Sequence, residues 1–310
     1  MSIDISIIIP VYNRPAKVGE TVTSVLRQAH DCTMEVLVID DASTDDTWQV
    51  VQSMAGIRPL QMPQNGGQCA ARNLGLAHAT GRYVKFLDSD DVLLDGHLQR
   101  ELALARETNA DIVASGWREV DVDGHAIERR PPHFSSNIVD DLLAGRSVPT
   151  SAALYVRHSE LRWDPAVRIL DDWDCFVQAA LRAEKIVTLD TPAYDWRDHS
   201  GPRLTDATMI LNARSHHQVL HKMEDVLRTR GLLTDARRKR LAQYFYKELR
   251  VLSLHDRAAF DAALAHIFEL DPHFHPVDEE RQWWMRLAAR VIGTRNTVLG
   301  HTAIKRLLKG

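Results

Sequence analysis

The chain has 310 residues, and what it lacks narrows the field first. Its only cysteines, Cys32, Cys69 and Cys175, are odd in number and scattered, so neither a disulfide framework nor a paired-thiolate metal site is expected. A reducing compartment, most simply the cytoplasm, suits them. Charge of one sign is not in excess: 38 Lys and Arg stand against 42 Asp and Glu, a net charge of −4 that gives no support for a bulk nucleic-acid binder. No stretch approaches the roughly 20 apolar residues of a membrane-spanning helix. The opening "MSIDISIIIPVYNRP" carries no basic segment before its three consecutive isoleucines, and is expected to be a buried strand, not a signal peptide. Internal repeats and low-complexity segments are lacking too. What remains is a globular composition, 45% apolar and 26% charged. At about 100–200 residues per domain, the length allows one large or two modest domains.

The first third alternates between two periodicities. Ile5–Pro10, Glu35–Ile39 and Tyr83–Leu87 are short continuous apolar runs, which predict buried strands. Between them, Pro15–Ala29, Asp45–Met54 and Gln68–Ala79 have helical spacing. The pattern predicts an α/β fold with a mostly parallel central sheet flanked by helices. Ligands of such sheets collect at the carboxyl ends of the strands, and the polar residues after Ile9, Ile39 and Leu87 all fall there. Further on, Asp111–Trp117 and "PTSAALYV" predict strands, "VDVDGHAIERRPP" a hairpin, and Asp172–Ala183 a helix. From about Thr208 the pattern is almost wholly helical. The expected partition is an α/β domain over 1–205 and a helical C-terminal region over 206–310.

Several clusters sit at the strand ends. "FLDSDD" runs an apolar strand into Asp88, Asp90 and Asp91, a self-repelling trio unless water screens it or a cation binds. Hard cations such as Mg²⁺ and Mn²⁺ take carboxylate oxygens together with substrate phosphates, whereas a solvated acidic turn is the bland alternative. "VLVIDDAST" ends a strand on Asp40 and Asp41; a helix cap accounts for Ser43 or Asp45 but leaves the adjacent pair unexplained. In "NGGQCAARNLGL", Gly66 and Gly67 open a helix carrying Arg72, and suit either a plain turn or a backbone approached closely by a ligand. "ILDDWDCF" sets Asp171, Asp172 and Asp174 at a helix start, where anions are favoured by the helix dipole; a carboxylate there can also act as general base. "YDWRDHSGPRL" gathers Arg197, His199 and Arg203 in what reads as a polar loop. "DSDDV" also matches the nucleophile motif of haloacid-dehalogenase-type phosphatases, but those open with it on their first strand, and here more than eighty residues precede it. A receiver domain, suggested by "VIDD", would leave nearly two-thirds of the chain without a purpose.

Taken in order, "SIIIPVYNRP", "EVLVIDDASTDDT", "NGGQCAARNLGL", "GRYVKFLDSDD" and "LDDWDCF" resemble the motifs of inverting family 2 glycosyltransferases over roughly residues 3–205. The resemblance implies the A-type, Rossmann-like nucleotide-sugar-binding fold and a metal-dependent transfer of a sugar from a nucleoside-diphosphate donor to an acceptor hydroxyl. It implies that Pro10 and Tyr12 line the nucleoside site, that Asp41 bonds the base edge with Arg72 nearby, and that Asp88 and Asp90 hold the diphosphate through Mn²⁺ or Mg²⁺. Asp91 would share that task, and His199 would reach the metal or diphosphate. Asp172 takes the place of the catalytic base, supported by Asp171 where many relatives carry Glu. A UDP-sugar is the default donor. The resemblance implies a saccharide or lipid-linked acceptor, in bacterial surface polysaccharide, lipopolysaccharide or glycan synthesis. A catalytically silent nucleotide-sugar-binding module is the alternative of a different class.

The last thirty residues stand outside that resemblance. From Arg281 to Gly310 there are seven Lys and Arg and no Asp or Glu, interleaved with Trp283, Trp284 and aliphatic residues. Such a segment suits peripheral contact with the inner membrane surface, or packing on the catalytic domain or on a second subunit of a homodimer.

Overall fold

A computed structural model describes residues 3–28, 32–197 and 209–274. The chain forms two compact units, Met1–Pro202 and Arg203–Gly310. In the first, Ile5–Val11 (β1) is buried along its whole length, as a strand covered on both faces must be. Pro15–Leu26 (α1) follows with Pro at its first turn, where a missing N–H costs nothing, and buries Val18, Val22 and Val25. Met34–Asp40 (β2), Thr47–Ser53 (α2), Arg58–Gln61 (β3), Gln68–His78 (α3) and Tyr83–Phe86 (β4) complete the alternation. β2 and β4 flank β1 in parallel, and β3 pairs parallel with β2. The registers Val11↔Asp40 and Ile8↔Phe86 bring the exits of β1, β2 and β4 to one edge.

Beyond β4 the sheet departs from the parallel pattern. Val92–Leu93 (β5), His97–Thr108 (α4), Ile112–Val120 (β6), Ala126–Arg129 (β7), Ile138–Leu143 (α5), Ala153–Val156 (β8), Asp171–Ala180 (α6) and Ile186–Arg197 (β9) follow. The strand order is β3-β2-β1-β4-β8-β6-β9-β5, with β7 hairpinned onto β6. β8 runs antiparallel to both β4 and β6, and β5 antiparallel to β9. The sheet is therefore parallel in its first half and mixed in its second, a fold of the expected α/β class. Because β8 is reversed, its beginning lies at the edge where β4 ends; the 3-10 turn Thr150–Ala152 enters it there. Only from Ala153 onward is "PTSAALYV" strand.

Tyr194–Arg197, expected in a polar loop, belong to β9. Gly116 of β6 allows the irregular pairing beside it, since a Cβ there would come within 2.7 Å of the Arg129 carbonyl oxygen. A buried polar cluster fixes α4 to the sheet: Lys85 Nζ donates to Glu101 Oε1 at 2.9 Å, and the same oxygen accepts from Ser115 Oγ at 2.8 Å. Burial alone would raise the Glu101 carboxyl, but Lys85 and His97 bring it down to about 2.

The second unit consists, among its described residues, of Met209–Thr229 (α7), Asp235–His255 (α8) and Arg257–Leu270 (α9). Thr234 caps α8 and Asp256 caps α9, each side chain accepting a free N–H of the first turn. Leu220, Met223, Phe245, Phe260 and Ile267 form its core. No described helix is long and apolar enough to cross a membrane. The basic tail at 281–310 and His199 lie outside the described residues.

Candidate active site

The shared edge of β1, β2 and β4 gathers the expected donor-binding residues. Pro10 is buried in β1, and Tyr12, just past it, is 42% exposed. The Asp41 N–H donates to the Val11 carbonyl, so the exits of β1 and β2 stay joined. The adjacent aspartates divide their work. Asp40 Oδ2 accepts from the Ser43 N–H and from Gln61 Nε2, bracing the turn after β2. Asp41 turns the other way: its Oδ1 and Oδ2 accept from the Gly66 and Gly67 N–H groups at 2.7 and 2.8 Å. Burial raises the Asp41 carboxyl, against the pull of those two amides. Gly67 has φ +82° and ψ 163°, a conformation reserved for glycine.

Arg72 of α3 is the hub. Its guanidinium, wholly buried, donates to Asp88 Oδ1 at 2.6 Å and to Asp171 Oδ2 at 2.9 Å, and lies 3.7 Å from Asp172 Oδ1. It rests on the Trp163 ring, 4.0 Å from the centroid. Arg72 thus joins the "DSDD" loop to the start of α6. With Nη1 and Nη2 both committed to protein carboxylates, it organises the site from beneath. Asp171, nearly buried, also accepts from Gln68 Nε2 at 2.8 Å. Asp172 is 41% exposed and Asp88 37%, so these two face the crevice. Desolvation by the surrounding crevice walls, opposed by Arg72 and reinforced by Asp171 and Asp88, pushes the Asp172 carboxyl up to about 7.

The acidic loop splits in the same manner. Asp90 pairs with Arg14 at 2.9 Å. Asp91 is buried, accepts from Ser151 Oγ at 3.0 Å, and is held by the Thr21 hydroxyl on its carbonyl. Burial, together with Asp88 and Asp90, raises its carboxyl well above the ordinary range. Asp91 is therefore set apart from Asp88 and Asp90 as an inward-facing acid. Arg197, at the end of β9, donates to the Asp90 carbonyl at 3.0 Å and to Glu20 at 2.7 Å. Asp88, Asp90 and Asp171 carry three formal charges against two from Arg14 and Arg72, and a partly ionised Asp172 adds to the negative excess. An all-oxygen donor set with that excess, and with Asp88 open to the crevice, fits a hard divalent cation.

A model of glycosyl transferase family 2 matches residues 6–160, half of the chain. The chain belongs to that family. It is 34% identical over 143 residues to the putative teichuronic acid biosynthesis glycosyltransferase TuaG of Bacillus subtilis, which covers 45% of this chain and 56% of TuaG. The chain spans only 20% to 56% of the length of five curated relatives that match at 32–35% identity. Among solved structures, S. aureus TarS 1-349 in complex with UDP-GlcNAc has a TM-score of 0.65 at 19% identity, covering 95% of this chain and 89% of that one. Mannosyltransferase PcManGT from Pyrobaculum calidifontis, in complex with GDP-Man and Mn²⁺, has a TM-score of 0.52 at 18% identity, covering 99% and 88%. Both likenesses concern the A-type fold of this family 2 chain.

Several features of this family 2 site carry no clear signal in the sequence. Ser151 reaches Asp91 only because β8 is reversed. Asn13 (φ 51°), Ala42 (φ 55°) and Leu170 (φ 63°) are left-handed although none is glycine, and they directly follow Tyr12, follow Asp41 and precede Asp171. Each such conformation costs on the order of 1–3 kcal/mol, and strain of this kind concentrates where side chains must be aimed.

Proposed function

We propose that the protein is a metal-dependent, inverting glycosyltransferase. It moves a sugar from a nucleoside-diphosphate donor, by default a UDP-sugar, to a hydroxyl of a saccharide or lipid-linked acceptor in bacterial surface polysaccharide synthesis. The observation that carries this reading is the pair of exposed carboxylates, Asp88 and Asp172, on one buried guanidinium, with Asp172 poised near 7. TuaG is named a putative teichuronic acid biosynthesis glycosyltransferase, TarS is named with UDP-GlcNAc, and PcManGT with GDP-Man and Mn²⁺.

Asp88 and Asp90 would hold Mn²⁺ or Mg²⁺. Bound there, the cation supplies Lewis-acid stabilisation of the charge that grows on the departing diphosphate. Tyr12 offers its exposed ring to the nucleoside, over the floor made by Pro10 and the Asp41-clamped glycines. Asp172 takes the proton of the acceptor hydroxyl at a carboxylate oxygen as the hydroxyl oxygen attacks the anomeric carbon and the bond to the nucleoside diphosphate breaks. A carboxylate poised near neutrality combines a usable deprotonated fraction with real basicity. A single displacement inverts the anomeric centre and needs no covalent enzyme intermediate. Orientation in the crevice contributes up to about 7–11 kcal/mol. Asp171 keeps Arg72, and so Asp172, in place.

The test is donor consumption across a panel of nucleotide sugars with Mn²⁺ or Mg²⁺. Asp172→Asn is expected to cut kcat strongly with donor affinity kept, and Asp90→Asn to remove metal-dependent turnover in a folded protein. Near-normal turnover of both variants would overturn the assignment, and so would full activity in EDTA.

A further inference from the structure

The helical unit contains a cluster for which the proposed glycosyl transfer has no use. His221 and Glu224 lie three residues apart on α7, on one helix face, and His266 comes from α9. Their ligating atoms all lie within 4.8 Å of one another. Glu224 Oε2 is 2.6 Å from His266 Nε2, while its Oε1 accepts from Arg228 at 2.5 Å. His266 turns its other nitrogen, Nδ1, toward Glu269 Oε2 at 3.3 Å. The His221 and His266 rings are 4.8 Å apart between centroids. One turn earlier on α7, His217 is buried with an Nε2 that has no hydrogen-bond partner.

The geometry points to a Zn²⁺-class site formed by His221, Glu224 and His266, which pins α7 to α9 and leaves a fourth position open. Two imidazoles and one carboxylate form a donor set that suits Zn²⁺ and not Mg²⁺ or Ca²⁺. Zinc–ligand bonds of about 2.0–2.2 Å put tetrahedral ligand atoms about 3.3 Å apart. The widest separation here closes to that value by rotamer adjustment, and the Glu224–His266 contact opens slightly once an ion stands in place of the shared proton. Arg228 keeps Glu224 to one available oxygen. Glu269 behind His266 is the outer carboxylate that orients a metal-bound imidazole and raises its basicity. A protonated His266 paired with both Glu224 and Glu269 accounts for those three residues, but not for a His221 ring nitrogen brought within 4.8 Å of the ligating atoms of Glu224 and His266.

The experiment uses the full chain, stripped with chelator and dialysed against Zn²⁺ in excess Mg²⁺, without nucleotide sugar. Retained metal is counted per chain, and Co²⁺ substitution reports coordination by its visible bands. One tightly held Zn²⁺ per chain, a raised Tm and tetrahedral Co²⁺ bands are expected. Asp90→Asn should retain this zinc, which separates the site from the proposed active site. His221→Ala and His266→Ala should lose it. Glu269, 74% exposed, can be truncated without disturbing the fold, and Glu269→Ala should weaken binding about 10–100-fold. The proposal is overturned if no zinc is retained, or if folded His221→Ala, checked by circular dichroism, holds as much as the parent chain.

Discussion

Replacing Arg72 with Met keeps most of the side-chain volume and removes the charge on which three carboxylates converge. The loss is worked from its contacts. The bond to Asp171 is almost fully buried, and a hydrogen bond to a charged group of that kind is worth about 1.5–3 kcal/mol. The desolvated stacking on Trp163 adds up to about 2 kcal/mol. The contact with Asp88 is discounted, because Asp88 is more than a third exposed and water takes up much of the deficit. The sum, about 2–5 kcal/mol, overlaps the roughly 3–5 kcal/mol of breaking a buried ion pair. Against a typical stability of about 5–15 kcal/mol, the variant stays folded in the cold and melts early. Urea unfolding at pH 7 measures this directly. The charge has a second effect. Arg72 favours the ionised form of Asp172, so without it the carboxyl rises further above 7. The acidic limb of the kcat–pH profile then moves to higher pH, with activity lost at pH 7 and partly regained as the pH is raised. Arg72→Lys should fall between, since an ammonium restores charge but cannot fork between two carboxylates. A loss below about 1 kcal/mol in the Met variant would refute the account of Arg72 as hub. An unmoved or acid-shifted limb would refute the electrostatic link to Asp172.

Two further outcomes probe the scaffold. Lys85→Met should destabilise the fold by about 3–5 kcal/mol by stranding Glu101. Because the Glu101 carboxyl is held near 2, below its unfolded value of about 4.3, the parent chain draws stability from this pair above about pH 4.3 and loses it toward pH 2. Thermal melts across that window should show the loss in the parent and not in the variant. Gly67→Ala should cost about 1–3 kcal/mol from backbone strain alone, because a Cβ there meets nothing within 4 Å. A neutral result in thermal unfolding would mean that the loop has an alternative conformation.

The parallel half of the sheet was legible because its strands are continuous apolar runs and its helices keep a regular apolar stripe. β9 was hidden by Asp190, Thr191 and Pro192, which break the strand pattern where its pairing with β6 slips. α4 was hidden because His97 and Glu101 occupy two of its buried positions, so burial did not follow hydrophobicity. β3, an edge strand with exposed ends, has no apolar signature. At the candidate site, residue types and order singled out Asp88 and Asp172, which converge on Arg72, and Asp90, which pairs with Arg14. The place of Arg72 was not legible. An arginine on an amphipathic helix says nothing of partners 16 and 99 positions away. Asp91 was grouped with its neighbours by sequence, yet its side chain turns inward to Ser151.

The span between Arg72 and Asp171 also bears on how the protein is made. A ribosome adding about 5–20 residues per second delivers Asp171 roughly 5–20 s after Arg72. Until then β1 to β4 and α3 can assemble, but the guanidinium lacks its buried counter-charge and is held in water. The parallel half is thus an early scaffold, and the crevice closes only when α6 arrives. A chain interrupted between these two points would carry the parallel wall of the crevice with its central cation still solvated.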